Sequence, residues 1–282
     1  MERVSLLASP SEAAEFIVAL TSADDKKALA AAALARSALS EIAAEYEGKI
    51  GELWDAANKE ALSHLLLVMG NNPHKPVEAI VARKDVQSAL LWPYEQAAQQ
   101  SEELMNAAWD TAEKESVKMA KGEAKLLGAV WKGYETDRSL LDNLVGDLHA
   151  NAKAMRSRVL EALKSDKEQG KALGQVTNDA TRRAKYSISV SVWSVAAQVR
   201  DSAARMMGLN RIWVSRMDSK TCNHCKALHG WVVGPGEPFP KGHLLKTYRD
   251  TPLFGPPRHP NCRCVVVLTF KKRTLEILKA KT

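Results

Sequence analysis

The sequence predicts a mainly α-helical N-terminal region followed by a small α+β domain built on a short antiparallel sheet. Three observations carry this. Alanine-rich runs with helix-capping residues continue to Gly208; β-branched and aromatic residues then alternate; and all four cysteines and seven of the eleven prolines fall between residues 222 and 264. The reading divides the 282 residues into a helical body (1–208), a Cys/His domain (209–270) and a basic tail (271–282).

In the body, Ser9-Pro10-Ser11-Glu12 fits a capping box with proline in the first turn. Ser22 opens a second helix, with Asp24 and Asp25 near its positive end, expected to stop at Gly48. A third runs from Glu52 to Met69 and closes at Gly70 and the turn-forming Asn71-Asn72-Pro73. Asp85 starts a long helix expected to reach Tyr134, kinked or divided at Pro93. Thr136 caps the next, in which Leu140, Leu141, Leu144, Leu148 and Met155 keep helical spacing. Asn178 caps the last, ended by Gly208 in the C′ position. His64 and His149 stand singly, and Trp54, Trp92, Trp109, Trp131 and Trp193 read as packing anchors. The body carries no phosphate-cradling glycine loop, nucleophile elbow or paired-carboxylate site, and so reads as scaffold or interaction surface.

Apolar residues make up 45% of the chain, and the longest apolar run falls far short of the roughly 20 residues that cross a bilayer. The start lacks a basic segment followed by an apolar core, so the expected setting is the cytoplasm, where thiols stay reduced. Charge is uneven. Residues 206–282 hold 14 Lys+Arg against 4 Asp+Glu, whereas residues 1–205 hold 26 against 29. A basic terminal domain suits DNA or an acidic protein surface. Arg249, Arg258, Arg263, Lys271, Lys272 and Arg273 are the candidates for one basic, nucleic-acid-contacting face.

After Gly208, residues 211–217, 231–233 and 264–270 read as strands. Between the last two lies the proline-rich stretch, which fits neither helix nor inner strand and must be tied at its ends. Cys222-x2-Cys225 and, thirty-four residues on, His259-x2-Cys262-x-Cys264 offer five donors for the four places of tetrahedral zinc. Closing such a loop costs roughly 3 kcal/mol plus a constant. Structural zinc supplies on the order of 10–16 kcal/mol. The C-terminal domain is therefore read as zinc-stabilised. Two disulfides are disfavoured by a reducing setting. A redox Cys-x-x-Cys belongs in a βαβ pattern, whereas here the order is strand, knuckle, strand. A zinc deaminase needs a His-x-Glu that is missing upstream of Thr221. Asp218, four residues before Cys222, is placed to orient a turn N–H or to end the strand.

With these residues in hand, residues 185–270 resemble the minor head proteins of tailed phages, the Mu F-like (SPP1-type) head morphogenesis family. The pattern is Asp, then Thr-Cys-x-x-Cys, then Leu and Gly, then His-Pro-Asn-Cys-Arg-Cys. Asp218, Thr221, Cys222, Cys225, Leu228, Gly230, His259, Pro260, Asn261, Cys262, Arg263 and Cys264 match it. The stretch 234–258 is long for the pattern, and the preceding helix reads Tyr186-Ser187-Ile188-Ser189 where Ala-Arg-Thr-Glu is often found. The resemblance implies a non-enzymatic virion component inside the head at the portal vertex, made in the host cytoplasm. Its implied partners are the portal or major capsid protein and packaged DNA, its roles head morphogenesis and DNA packaging or ejection. The alternative, a zinc-dependent nucleic-acid-binding or processing protein, would want an acid/base set beside the metal. Asp218, Glu237, Asp250 and Glu276 form no evident one.

Overall fold

The computed structural model describes residues 23–164, 169–240, 253–259 and 262–272. Five helices come first: α1 (Ala23–Gly70), α2 (Val77–Val81), α3 (Lys84–Leu126), α4 (Ser139–Lys164) and α5 (Gln169–Met207). Then follow β1 (Asn210–Val214), the six-residue α6 (Asn223–Leu228), β2 (Val232–Val233) and β3 (Val265–Thr269). The mainly helical chain with a small antiparallel sheet is as the sequence predicts. The capping box at Ser9–Glu12 and Ser22 lie outside the described residues.

Several helix boundaries differ from the reading. Gly48 does not end a helix, because α1 runs 48 residues through it. A helical glycine costs only about 1 kcal/mol. Against that stands a continuous stripe of buried Leu39, Ala43, Ile50, Trp54, Ala57 and Ala61. Pro93 likewise lies inside α3 without dividing it, flanked by fully buried Leu90 and Tyr94. That helix stops at Leu126, not Tyr134, where Gly128 turns to φ 70° and the Ala129 N–H closes onto the Ala124 carbonyl. Thr136 is not a cap, since its hydroxyl donates to Glu113 and α4 begins at Ser139. Asn178 is interior to α5 rather than its start. Gly208 does end α5, with φ 69° and the Leu209 N–H on the Ala204 carbonyl. Of the tryptophans, Trp54, Trp109 and Trp193 are buried, whereas Trp92 is exposed.

Contacts divide the chain into two units, cut across the helices rather than at Gly208. One comprises Ala43–Trp109 and Arg138–Ser191. Its core holds Ile50, Trp54, Leu65, Leu90, Tyr94, Met105, Leu148 and Met155. Polar contacts fix the helix register inside it. The Trp54 indole donates to Ser101 (3.1 Å), Asn58 donates to Thr181 (3.2 Å), and Thr181 donates to Asp55 (3.0 Å). His149 pairs with Glu102 at its rim, 3.0 Å apart.

The other unit comprises Met1–Ile42, Asp110–Asp137 and Val192–Thr282, and it contains the sheet. Strand order is β2-β1-β3, antiparallel throughout. Every residue of β3 is buried, so both faces are covered, which is why this strand reads as an unbroken apolar run. Trp213 and Val266 face a cluster containing Cys225, Cys262 and Cys264. Helices hold the sheet from elsewhere. Buried Glu123 accepts two hydrogen bonds from buried Arg200, at 3.2 and 2.9 Å, on one carboxylate oxygen. Its other oxygen takes the Leu268 N–H at 3.0 Å, capping a ladder group that would otherwise lie unpaired on the edge of β3. Arg36 of α1 donates to the Val214 carbonyl.

Arg211, fully buried in β1, ties the base of the proline-rich stretch. Its guanidinium donates to the carbonyls of Glu237 and Phe254 and lies 2.6 Å from the Asp201 carboxylate. Burial lowers its pKa to about 10 while Asp201 works against the fall, so it stays charged at neutral pH. The Phe239 N–H donates to the Leu253 carbonyl at 2.7 Å just beyond. Gly255 passes so close to α5 that a Cβ there would stand 2.5 Å from that of Ala197.

Two outcomes follow. Glu123→Ala leaves Arg200 buried and unpaired, and is expected to lower unfolding free energy by about 3–5 kcal/mol in a denaturant titration. A loss below about 1 kcal/mol would contradict the buried pair. Gly255→Ala should cost about 1–3 kcal/mol by overpacking, and Ala197→Gly in the same chain should recover part of it.

Candidate metal centre

The first arm of the site is built between β1 and β2. Its sulfur chemistry begins at Cys222, whose side chain caps α6 by accepting the Cys225 N–H at 3.4 Å. The Lys226 N–H bonds back to the Cys222 carbonyl at 3.0 Å, so the x2 spacing closes one helical turn with both sulfurs on one side. Here the structure corrects the reading of a plain knuckle: Cys-x-x-Cys does open a short helix. That helix joins antiparallel strands, however, and not the parallel pair of a βαβ unit. Gly230, at φ 81°, turns the chain back so that its N–H meets the Trp213 carbonyl at 2.8 Å and β2 pairs with β1.

The second arm precedes β3. The Cys262 N–H reaches the His259 carbonyl at 3.1 Å, an x2 turn like the first. The two arms meet. His259 Nε2 lies 3.1 Å from Cys222 Sγ and 3.0 Å from Cys225 Sγ, and Cys225 Sγ lies 3.8 Å from Cys262 Sγ. Two groups thus share Cys225: Cys222, Cys225 and His259, and Cys225, Cys262 and Cys264, each with its donor atoms within 4.8 Å of one another. All four cysteines are free thiols, as the metal reading requires and the disulfide reading does not. Soft sulfur donors with one imidazole form a donor set suited to zinc.

Electrostatics tie the thiols together. Hydrogen bonds from Cys225 and Cys264 hold the Cys262 thiol well below its ordinary pKa, helped by the backbone N–H groups of Arg258 and Cys264. Cys225 is pushed up, because its proton is held in the bond to Cys262. Arg258 is buried beside the cluster and donates to the His224 carbonyl. Burial lowers its pKa, and the neighbouring sulfurs oppose that fall.

Asp218 is the clasp between the arms. Arg263, lying between Cys262 and Cys264, donates to both its oxygens at 2.6 and 2.7 Å. The Thr221 hydroxyl and the Lys220 N–H add bonds at 2.9 and 3.1 Å, and Arg216 stands 3.1 Å away. The Arg263 hydrogen bonds, first of these, hold the carboxyl at about 2.

Ser215 escaped the sequence reading, and His229 is not among its five donors. The Ser215 N–H donates to His229 Nδ1 (3.1 Å), its hydroxyl donates to the Cys225 carbonyl, and it accepts from the Cys264 thiol at 3.4 Å. His229 is buried and its pKa lowered by that burial, which keeps Nδ1 an acceptor. Their only sequence signal is position, one at the end of a strand and one before Gly230. Exposed His224 stands outside the cluster, and His243 lies outside the described residues.

Of the six residues read as a basic face, four lie among the described residues. Arg258 is buried against the site, and Arg263 is committed to Asp218. Lys271 is partly buried, and Lys272 is exposed. Arg249 and Arg273 lie outside the described residues. Arg263 is drawn in by the Asp218 carboxylate, and Arg258 by the His224 carbonyl beside the cluster.

Residues 149–267 match the family model described as Phage Mu protein F like protein. The match starts within α4, spans α5 and both arms of the cluster, and ends inside β3. It bears out the resemblance drawn from the Cys/His pattern and extends it upstream. No curated protein and no solved structure matches the chain. No described helix is long and apolar enough to cross a membrane.

If Asp218 and Ser215 orient the donors from outside the metal shell, Asp218→Asn and Ser215→Ala should each weaken zinc binding about 10–100-fold. Competition with a chromogenic chelator reads this directly. An unchanged affinity in both would reduce these residues to local turn contacts.

Proposed function

We propose that this chain is a minor head protein of a tailed bacteriophage, acting in head morphogenesis from the capsid interior at the portal. The observation that carries the reading is the Phage Mu F-like match over residues 149–267, which contains every candidate metal donor. On this reading the protein is a non-enzymatic structural component, its direct partner is the portal or major capsid protein, and it supports DNA packaging or ejection.

The metal is zinc in a structural role. Cys225, Cys262 and Cys264 are buried, and the five donors exceed the four places of a tetrahedral shell. This favours a closed site over one that keeps a place for substrate. Zinc bound there links the segment after β1 to the segment before β3, and the residues themselves keep the two arms aligned through Asp218 and Arg263.

Protein mass spectrometry of purified particles and of empty proheads, with copies counted against the portal, tests the placement. The chain is expected in both, at low copy number. Its absence from both would overturn the assignment. Elemental analysis of the purified chain should find one zinc per molecule, removed by a chelator together with the protection of its thiols. Two intact disulfides and no metal would refute the zinc role.

A further inference from the structure

We infer that Cys222, Cys225, His259 and Cys262 form the metal shell, and that Cys264 stays outside it, engaged with Ser215. The assignment rests on the metal reading proposed above and decides which of five donors is left over.

Three observations converge on it. The first is the pair of matching turns. Cys222-x2-Cys225 and His259-x2-Cys262 each fold back through a backbone hydrogen bond, and each delivers two donors three residues apart. Cys264 follows the second turn and has no counterpart in the first. The second is spacing. Bonds of about 2.3 Å to sulfur in a tetrahedron set sulfur–sulfur edges of about 3.8 Å. Cys225 and Cys262 stand at 3.8 Å, and His259 Nε2 is in contact with both Cys222 and Cys225 at 3.1 and 3.0 Å. Replacing His259 by Cys264 would discard the contacts that join Cys222 and Cys225 to the second arm through the imidazole.

The third is what each sulfur does. A metal-bound thiolate is an acceptor and is stabilised by N–H donors. Cys222 accepts the Cys225 N–H, and Cys262 Sγ faces Cys225 Sγ. The Cys264 thiol instead donates to Ser215 Oγ at 3.4 Å. Cys264 Sγ and the Cys225 carbonyl thus meet the same Ser215 hydroxyl, which links the segment before β3 to α6.

X-ray absorption of the zinc-loaded full-length protein reads the shell without any substitution. Three sulfurs and one nitrogen are expected; four sulfurs would overturn the ligand set while leaving the metal reading intact. Cys264→Ser and Cys264→Ala should keep zinc affinity within the outer-shell range of about 10–100-fold, whereas Cys262→Ser should lose more than that. Cobalt loaded in place of zinc should give the same sulfur charge-transfer intensity in wild type and Cys264→Ser, and a weaker one in Cys262→Ser. Equal losses at 262 and 264 would refute the assignment. Failure of the wild-type chain to take up zinc or cobalt would remove the metal reading itself, an outcome distinct from a shell of four sulfurs.

Discussion

Twelve residues make up the strands of the sheet, five in β1, two in β2 and five in β3, and so short a ladder has little cooperativity of its own. Everything else in this unit answers that constraint. On one face, the cysteine cluster packs against Trp213 and Val266. At the open edge, Glu123 takes the Leu268 N–H while neutralised by Arg200. At the base of the proline-rich stretch, Arg211 gathers carbonyls from both ends. Each device brings a charge or a thiol into the interior, and each is matched by a partner from another segment of chain. The sheet is held by long-range polar contacts because its own area is too small to hold it.

The same fact explains which parts of the structure were legible beforehand. Strand positions, the C′ glycine at 208 and the two cysteine pairs depend on local residue type and spacing, and these were read to within three residues. The helix end expected at Gly48 was misread, and no division falls at Pro93, because burial of a long apolar stripe outweighs a local breaker. Nothing local marks Glu123 or Arg200 as buried, since both sit in helices among other charged residues, and the pairing spans 77 positions. Arg258 and Arg263 looked like surface charge for the converse reason. A count of basic residues cannot tell a phosphate-facing arginine from one that balances a buried cluster.

Residues matched by the family model include the second half of α4 and all of α5, not merely the Cys/His segment. Along α5 the residues from Val190 to Ala197 are all buried, an all-round burial that an amphipathic surface helix lacks. Its serines at 187, 191 and 194 are small enough for close packing, and two of them return their hydroxyls to the helix carbonyls. The helix and the metal arms thus form a continuous matched stretch in which packing and ligation are specified side by side.

Arg211 and the Phe239–Leu253 bridge have a bearing on how such chains diversify. Both fasten the chain where the proline-rich stretch leaves the sheet and where it returns. The donors at 259 and 262 lie beyond the second fastening and the pair at 222 and 225 before the first. The entropic cost of closing a loop grows only slowly with its length, by about 0.6 kcal/mol for each doubling. A change of length between Pro240 and Pro252 therefore meets these two fastenings before it reaches the donors, so evolution can alter the number of residues there at little thermodynamic expense.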